Sequence, residues 1–445
     1  MAAVPLNEAS RGEPADPEQP DLEARLVRIR EAGLYRRLRT VESLQGPRVK
    51  LDGEEVLLLC SNNYLGLAEH PKVRLAAIAA VKEFGTGAGS SRLIAGNMSA
   101  HERLERRLAE FHQTESALLF GSGYLANIGA ITALAGPGDV VYSDELNHAS
   151  IVDGCRLSGA AKFVYRHRDI EHLAWALEHA AGRPALIVTD GLFSMDGDRA
   201  PLMWLVELAR KHGARLMVDE AHAVGTIGPG GRGVAADCGV ADEVDVIVGT
   251  LGKSLGSYGA YVCGKQELRE TLINSARSFI FTTGLPPAAA AAAGAALEIL
   301  LAEPQRIQRL QSNARVMREA LVCEGVRVGA SQSQIIPIEV GEAERATAIS
   351  LRMLEDGVYA QAIRPPTVPD GTSRIRISLM ASHGKAQLRA GAKTTAAAVR
   401  LILADTDPRM QTAQPRPLPS AAEELDAIEG AEIAIRPHGV RSPAA

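Results

Sequence analysis

The chain has 445 residues, of which 46% are hydrophobic and 23% charged, with a net charge of −5. That length excludes one small core and favours a large domain with a smaller companion. An acidic chain without a basic, aromatic-studded stripe is not expected to bind nucleic acid. The five cysteines (Cys60, Cys155, Cys238, Cys263 and Cys323) include no CxxC pair. Neither zinc nor a disulfide framework is therefore expected, and a reducing, cytoplasmic setting is.

Residues 1–20 are polar, acidic and proline-rich with no apolar segment, and read as a disordered extension, not a secretory signal. Further on, Ser99-Ala-His-Glu102 matches a capping box, after which Leu104, Leu108 and Phe111 share one helical face. GSGYLAN (121–127) suits an anion cradle: its glycines admit close approach, and the helix that follows opens with free N–H groups. His148, flanked by small polar residues in SDELNHASIVDG, is placed to stack on a flat ring; a hydrogen-bonded loop histidine is the plainer alternative.

Three short apolar runs, ALIVTD (185–190), RLMVDE (215–220) and DVIVGT (245–250), read as buried strands, and Pro201 and Gly213 bracket a helix between the first two. Strands separated by helices imply a mostly parallel sheet. Ligands of such sheets sit beyond the strands' carboxyl ends. There the sequence places Asp190 to Ser194, Asp219-Glu-Ala-His222 and Thr250-Leu-Gly-Lys253.

Among the small residues of TLGKSLGSYGA, the Lys253 amine would lose water, which lowers its pKa and frees its lone pair for an aldehyde. Taken alone, it reads equally as a surface lysine. Asp219 would hold a protonated pyridinium nitrogen or, more plainly, cap a turn, and His222 reaches the same place. Thr250 and Ser254 offer hydroxyls to a phosphate. Leu285 to Leu297, mostly alanine, is too short to span a membrane, which takes about 20 residues, and reads as a packed helix. SRIRISL (373–379) alternates like a strand, with Arg374 and Arg376 on one face, where an inward guanidinium would grip a carboxylate. Residues 405–445 read as a disordered tail.

Eight motifs in order carry a wider likeness: SNNYLGL (61–67), GTGAGSSRLIAGN (85–97), GSGYLAN, LNHASIVDGCRLS (146–158), TDGLFSMDGDRAPL (189–202), VDEAHAVG (218–225), TLGKSLG (250–256) and ARSFIFTTGLPP (276–287). From about residue 26 to 403 the chain resembles the α-oxoamine synthases, a branch of the fold type I pyridoxal-phosphate enzymes. The resemblance implies an α/β fold type I transferase. Its parts would be an N-terminal arm (21–60), a large cofactor-binding domain with a mostly parallel central sheet (61–290) and a smaller C-terminal α+β domain (291–404). It also implies a homodimer with the active site at the interface, and neither nucleic-acid nor membrane partners.

Position by position, Lys253 matches the family's Schiff-base lysine, which also serves as base, and Asp219 its pyridinium partner. His222 matches a cofactor-contacting histidine and His148 the one stacked over the ring. Ser194 and Thr250 match further cofactor contacts, Gly123 and Tyr124 the phosphate turn, and Thr282 and Thr283 the stretch that reaches the neighbouring subunit's phosphate. Asn62, Arg376 and Ser378 match substrate contacts, Arg376 at the amino-acid carboxylate; an arm arginine is assigned to Arg36, with Arg37 as the other choice. Glu220 stands where many relatives have aspartate. DGCRLS, FSMDGD and ARSFIFTTGLPP point to the branch joining L-alanine to a pimeloyl thioester on CoA or acyl carrier protein. Sister branches join glycine to acetyl-CoA or succinyl-CoA, or serine to palmitoyl-CoA. An aminotransferase and a catalytically silent scaffold are the readings from outside the branch.

Overall fold

The structure, a computed structural model, describes residues 21–179 and 182–404. The extensions expected at 1–20 and 405–445 lie outside the described residues. At its centre are seven strands: β1 (Ser116–Phe120), β2 (Val140–Asp144), β3 (Ala161–Tyr165), β4 (Ala185–Asp190), β5 (Arg215–Asp219), β6 (Val246–Thr250) and β7 (Ala260–Gly264). Their order is β1-β7-β6-β5-β4-β2-β3. Only β7 runs against its neighbours; all other pairings are parallel. The mostly parallel sheet is as expected, and β4, β5 and β6 are the three apolar runs to within one residue.

These strands are apolar throughout because both faces are covered. Leu216 and Val218 of β5 join Ile187 and Ile247 on one side. Met217 joins Leu186, Val188, Val246 and Val248 on the other. Such double burial is why the runs lack the alternation of a half-exposed strand. Helix α1 (Gly123–Leu134) follows β1, α2 (Ala149–Leu157) follows β2, and α3 (Leu202–His212) joins β4 to β5. Pro201 and Gly213 bound α3 as the sequence indicated. Helices α1 and α2 pack closely at Gly154, where an added Cβ would lie 2.9 Å from the Ile131 side chain.

The helix at Ser99–His112 corrects one expectation. Ser99 is already helical, and Met98, still extended, holds the cap position. The Met98 N–H donates to His101 Nδ1 at 3.1 Å. Glu102 instead accepts from Asn97 Nδ2 at 2.9 Å, so the serine–glutamate box does not form. The alanine-rich stretch lies in the buried helix Pro287–Ala302. Among the described residues, no helix is long and apolar enough to cross a membrane.

A second, antiparallel sheet places Ser373–Ser378 between Ile335–Gly341 and Gln361–Ile363. A third pairs Glu54–Leu58 with Arg48–Leu51 and, in parallel, with Val358–Tyr359. Two backbone bonds stitch the end of the strand bearing Arg376, and the residues just after it, to the segment from Leu59 to Tyr64: Ser378 N–H to Leu59 O and Ala381 N–H to Tyr64 O, both 2.7 Å.

Close packing within the sheet yields a stability prediction. An added Cβ at Gly249 of β6 would lie 2.2 Å from the ring of Tyr261. That tyrosine is fully buried and its hydroxyl is 2.8 Å from His112 Nε2. Gly249→Ala should therefore destabilise the protein by about 1–3 kcal/mol through overpacking, read as a lower urea midpoint. An unchanged midpoint would mean that the ring steps aside freely.

Candidate active site

Because β1, β2, β4, β5 and β6 are parallel, their carboxyl ends share one edge of the sheet. That edge brings together the start of α1, His148, Asp190, Asp219, and Thr250 to Lys253. Asp190 and Asp219 are direct register partners. Asp219 is buried; its Oδ1 accepts the Ala221 N–H at 2.8 Å and its Oδ2 accepts from Asn127 Nδ2 at 2.7 Å. Burial lowers the Lys253 amine to about 8, against the pull of the Asp219 and Asp190 carboxyls. The desolvated lysine read from the sequence is thus present.

Two imidazoles flank this amine. His148 caps α2 and its own N–H donates to Asp190 Oδ2 at 2.8 Å. Burial lowers its pKa although Asp219 opposes the shift. His222 lies with Nδ1 2.6 Å from the Tyr64 hydroxyl. Burial first, then the charges of Lys253 and Arg376, hold it well below the usual histidine range, so it is neutral. Burial also raises the Tyr64 phenol, keeping its proton in place.

The two candidate arginines have different fates. Arg374 is paired with Asp196. Arg376, equally buried, donates from Nε to the Ser194 carbonyl and lies 3.4 Å from Asn62 Oδ1 through both Nη atoms. It has no carboxylate partner among the described residues, and an unbalanced buried cation is costly unless something balances it. Both arginines are buried, so this strand does not present an exposed charged face. On the same strand, the Ser378 hydroxyl is buried without a hydrogen-bond partner among the described residues.

At the start of α1, Ser122 Oγ accepts the Leu125 N–H, and the amides of Gly123 and Tyr124 have no partner among the described residues. Tyr124 is exposed and its hydroxyl donates to Asp153 at 2.6 Å. Thr250 Oγ1 donates to Gly259 O and accepts the Gly252 N–H, both at 3.2 Å, while remaining partly exposed. Ser254 corrects the sequence reading. The tight turn after Lys253 points it inward, where it is buried and donates to Val224 O at 2.6 Å. Glu220 is likewise turned inward, accepting the N–H groups of Val234 and Ala235.

Arg36 is not brought into this cluster; it donates to Pro365 O at 3.2 Å. Thr282 and Thr283 lie between two helices, and Thr283 bridges Ser91; neither touches the Lys253 cluster among the described residues. Sequence reasoning passed over Tyr64, Asn127 and Ser150. All three lie inside motifs quoted above, but nothing in their residue type announces where their side chains point.

The chain belongs to the aminotransferase class I and II family, whose model matches residues 54–394. Among its relatives, the 8-amino-7-oxononanoate synthase of Geobacter sulfurreducens is 55% identical over 366 residues, 82% of this chain and 94% of that one. Among solved structures, a serine palmitoyltransferase variant from S. paucimobilis with a bound PLP–myriocin aldimine is similar, with TM-score 0.82 and 34% identity over 86% of this chain and 97% of that one. An 8-amino-7-oxononanoate synthase from Francisella tularensis has TM-score 0.67 and 27% identity, over 78% and 98% of the two chains.

One ionic clamp secures the loop that carries Ser194. His167 Nδ1 lies 2.9 Å from Asp144 and Nε2 lies 2.8 Å from Asp198. Burial works against its charge, but hydrogen bonds to the two aspartates prevail and raise it from 6.5 to about 9. A raised folded-state pKa gives stability that is full below pH 6.5 and lost as pH rises through about 9. Urea unfolding should lose up to about 3 kcal/mol from this clamp between pH 6 and 10. His167→Gln should lack that part of the loss; equal losses in both proteins would refute an ionic clamp.

Proposed function

We propose that this chain is a pyridoxal-phosphate-dependent acyltransferase of biotin biosynthesis. It would condense L-alanine with a pimeloyl thioester, carried on CoA or acyl carrier protein, to give 8-amino-7-oxononanoate, CO₂ and free thiol. The observation that carries this reading is the meeting of a desolvated amine, Lys253, with a buried and unbalanced guanidinium, Arg376. It occurs in a chain 55% identical to an enzyme named for that product.

The residues fit the cofactor. Lys253 would hold its aldehyde, Asp219 its ring nitrogen and His222 its phenolic oxygen, with His148 across the ring face. The free amides of Gly123 and Tyr124, with Thr250 beside them, would hold its phosphate. Ser194 lies close by. When bound, pyridoxal phosphate supplies an electron sink that stabilises a carbanion at the amino acid's α-carbon.

This chain's own groups do the remainder. Arg376, oriented by Asn62 and the Ser194 carbonyl, binds the amino-acid carboxylate in the place that no carboxylate among the described residues fills, with Ser378 as a further substrate contact. Lys253, lowered to about 8, has a free lone pair in a useful fraction of molecules near neutral pH and takes the α-proton at Nζ. A homodimer is part of the reading. It is supported by Thr282, partly exposed, and Thr283, exposed, standing away from their own cluster and available to a second subunit. Arg36, on the N-terminal arm, is assigned to the substrate entrance.

A second reading has an observation in its favour: the serine palmitoyltransferase overlays with a higher TM-score than the Francisella synthase. Sequence identity weighs the other way, 55% against 34%. A panel of alanine, glycine and serine against pimeloyl, acetyl, succinyl and palmitoyl thioesters, read by thiol release, separates them. Alanine with pimeloyl thioester should be best; a preference for serine with palmitoyl thioester would overturn the choice. Lys253→Ala should abolish turnover and leave no cofactor fixed to the chain by borohydride. Retained activity would sink the assignment.

A further inference from the structure

We infer that Asn127 and Ser150 are positioning residues that lock the Asp219 carboxylate and the His148 imidazole into one shared proton arrangement. The link is continuous. Asn127 Nδ2 lies 2.7 Å from Asp219 Oδ2 and 2.8 Å from Ser150 Oγ, which is 2.7 Å from His148 Nδ1.

The proton positions follow from what each atom can do. The Ser150 backbone N–H, 3.2 Å from His148 Nδ1, can only donate and biases Nδ1 towards accepting; the closer Ser150 hydroxyl, at 2.7 Å, completes that bias. The neutral ring then carries its proton on Nε2, away from α2. Ser150 Oγ, facing the same Nδ1, gives its own proton there and accepts from Asn127 with a lone pair. Asn127 has both acceptors on its nitrogen side; a reversed amide would set its oxygen against the Asp219 carboxylate.

Two further observations support a specific role for this arrangement. Asn127 Oδ1 is buried without a partner among the described residues, a state that folded proteins usually avoid. The amide therefore forgoes one hydrogen bond to place both N–H groups on Asp219 and Ser150. The link also needs α1 and α2 close together, and Gly154, against Ile131, permits that approach. What Asp219 and His148 do with a bound ring rests on the function proposed above; the link itself is read from this chain alone.

The test is ring-nitrogen NMR on protein with ¹⁵N-labelled histidine, with and without cofactor, with His148→Asn assigning the signal. Wild type should show the Nε2–H form of His148. Ser150→Ala should shift it towards a mixture of forms, and so should Asn127→Leu, which alters a side chain making no contact with His148. In the loaded enzyme both changes should lower kcat on the order of tenfold while KM for alanine stays within about twofold, as expected for orienting partners. A His148 signal unchanged in both variants overturns the link. If Asn127→Leu does not fold, Ser150→Ala, the loss of a single oxygen, decides alone. A response of His148 in protein that takes up no pyridoxal phosphate would uphold the link and refute the cofactor reading instead.

Discussion

A lysine amine that is to react near neutral pH must shed water without drifting, and the end of β6 meets both demands. The strand is buried on both faces, so the residues that emerge from it are held by a packed sheet. The turn then places Ser254 inward against the Val224 carbonyl, anchoring the chain one residue beyond the amine. Desolvation lowers the Lys253 pKa, while the aspartates at the ends of β4 and β5 keep the shift moderate. Without Asp190 and Asp219, burial would depress the amine further; without burial, those carboxyls would hold its proton.

The same constraint explains the supporting polar network. A low-dielectric cleft makes each unpaired charge expensive, so the cluster is wired to defined partners. Asp219 takes two donors, His148 and Asp190 share a bond, and His222 faces a tyrosine. Arg376 stands apart because its partners are a carbonyl, an amide oxygen and a hydroxyl, none carrying full negative charge. The backbone stitching of its strand to the segment after Leu59 keeps that cation in place. Arg374, two residues earlier, shows the ordinary solution: a carboxylate from the neighbouring loop.

Much of this was legible in the sequence, for reasons that can be named. Strands buried on both faces leave apolar runs, so β4, β5 and β6 stood out, and with them the residues at their carboxyl ends. Lys253, Asp219 and His222 followed from that edge, whereas His148 was read from its small polar flanks. Side-chain direction was not legible. Arg374 and Arg376 are equivalent in the strand pattern, and only Asp196, far away in sequence, distinguishes them. Ser254 looked like a ligand contact until the turn was seen to point it inward. The capping box at Ser99 failed by a single residue of helix phase. Asn127 and Ser150 meet only because α1 and α2 pack side by side, a tertiary fact that no local pattern carries.

The N-terminal arm has a consequence for how the protein is made. Its strand Glu54–Leu58 pairs in parallel with Val358–Tyr359, some three hundred residues later. β1 similarly waits for β7, which follows it by well over a hundred residues. During synthesis at roughly 5–20 residues per second, the arm emerges long before its partner strand exists. Such distant pairings slow folding. The central sheet closes only after its last strand is made, and the Glu54–Leu58 strand completes its pairing only after Val358–Tyr359 has emerged. Until then the apolar side of that hairpin lacks the cover that Leu354 and Tyr359 give it in the folded protein.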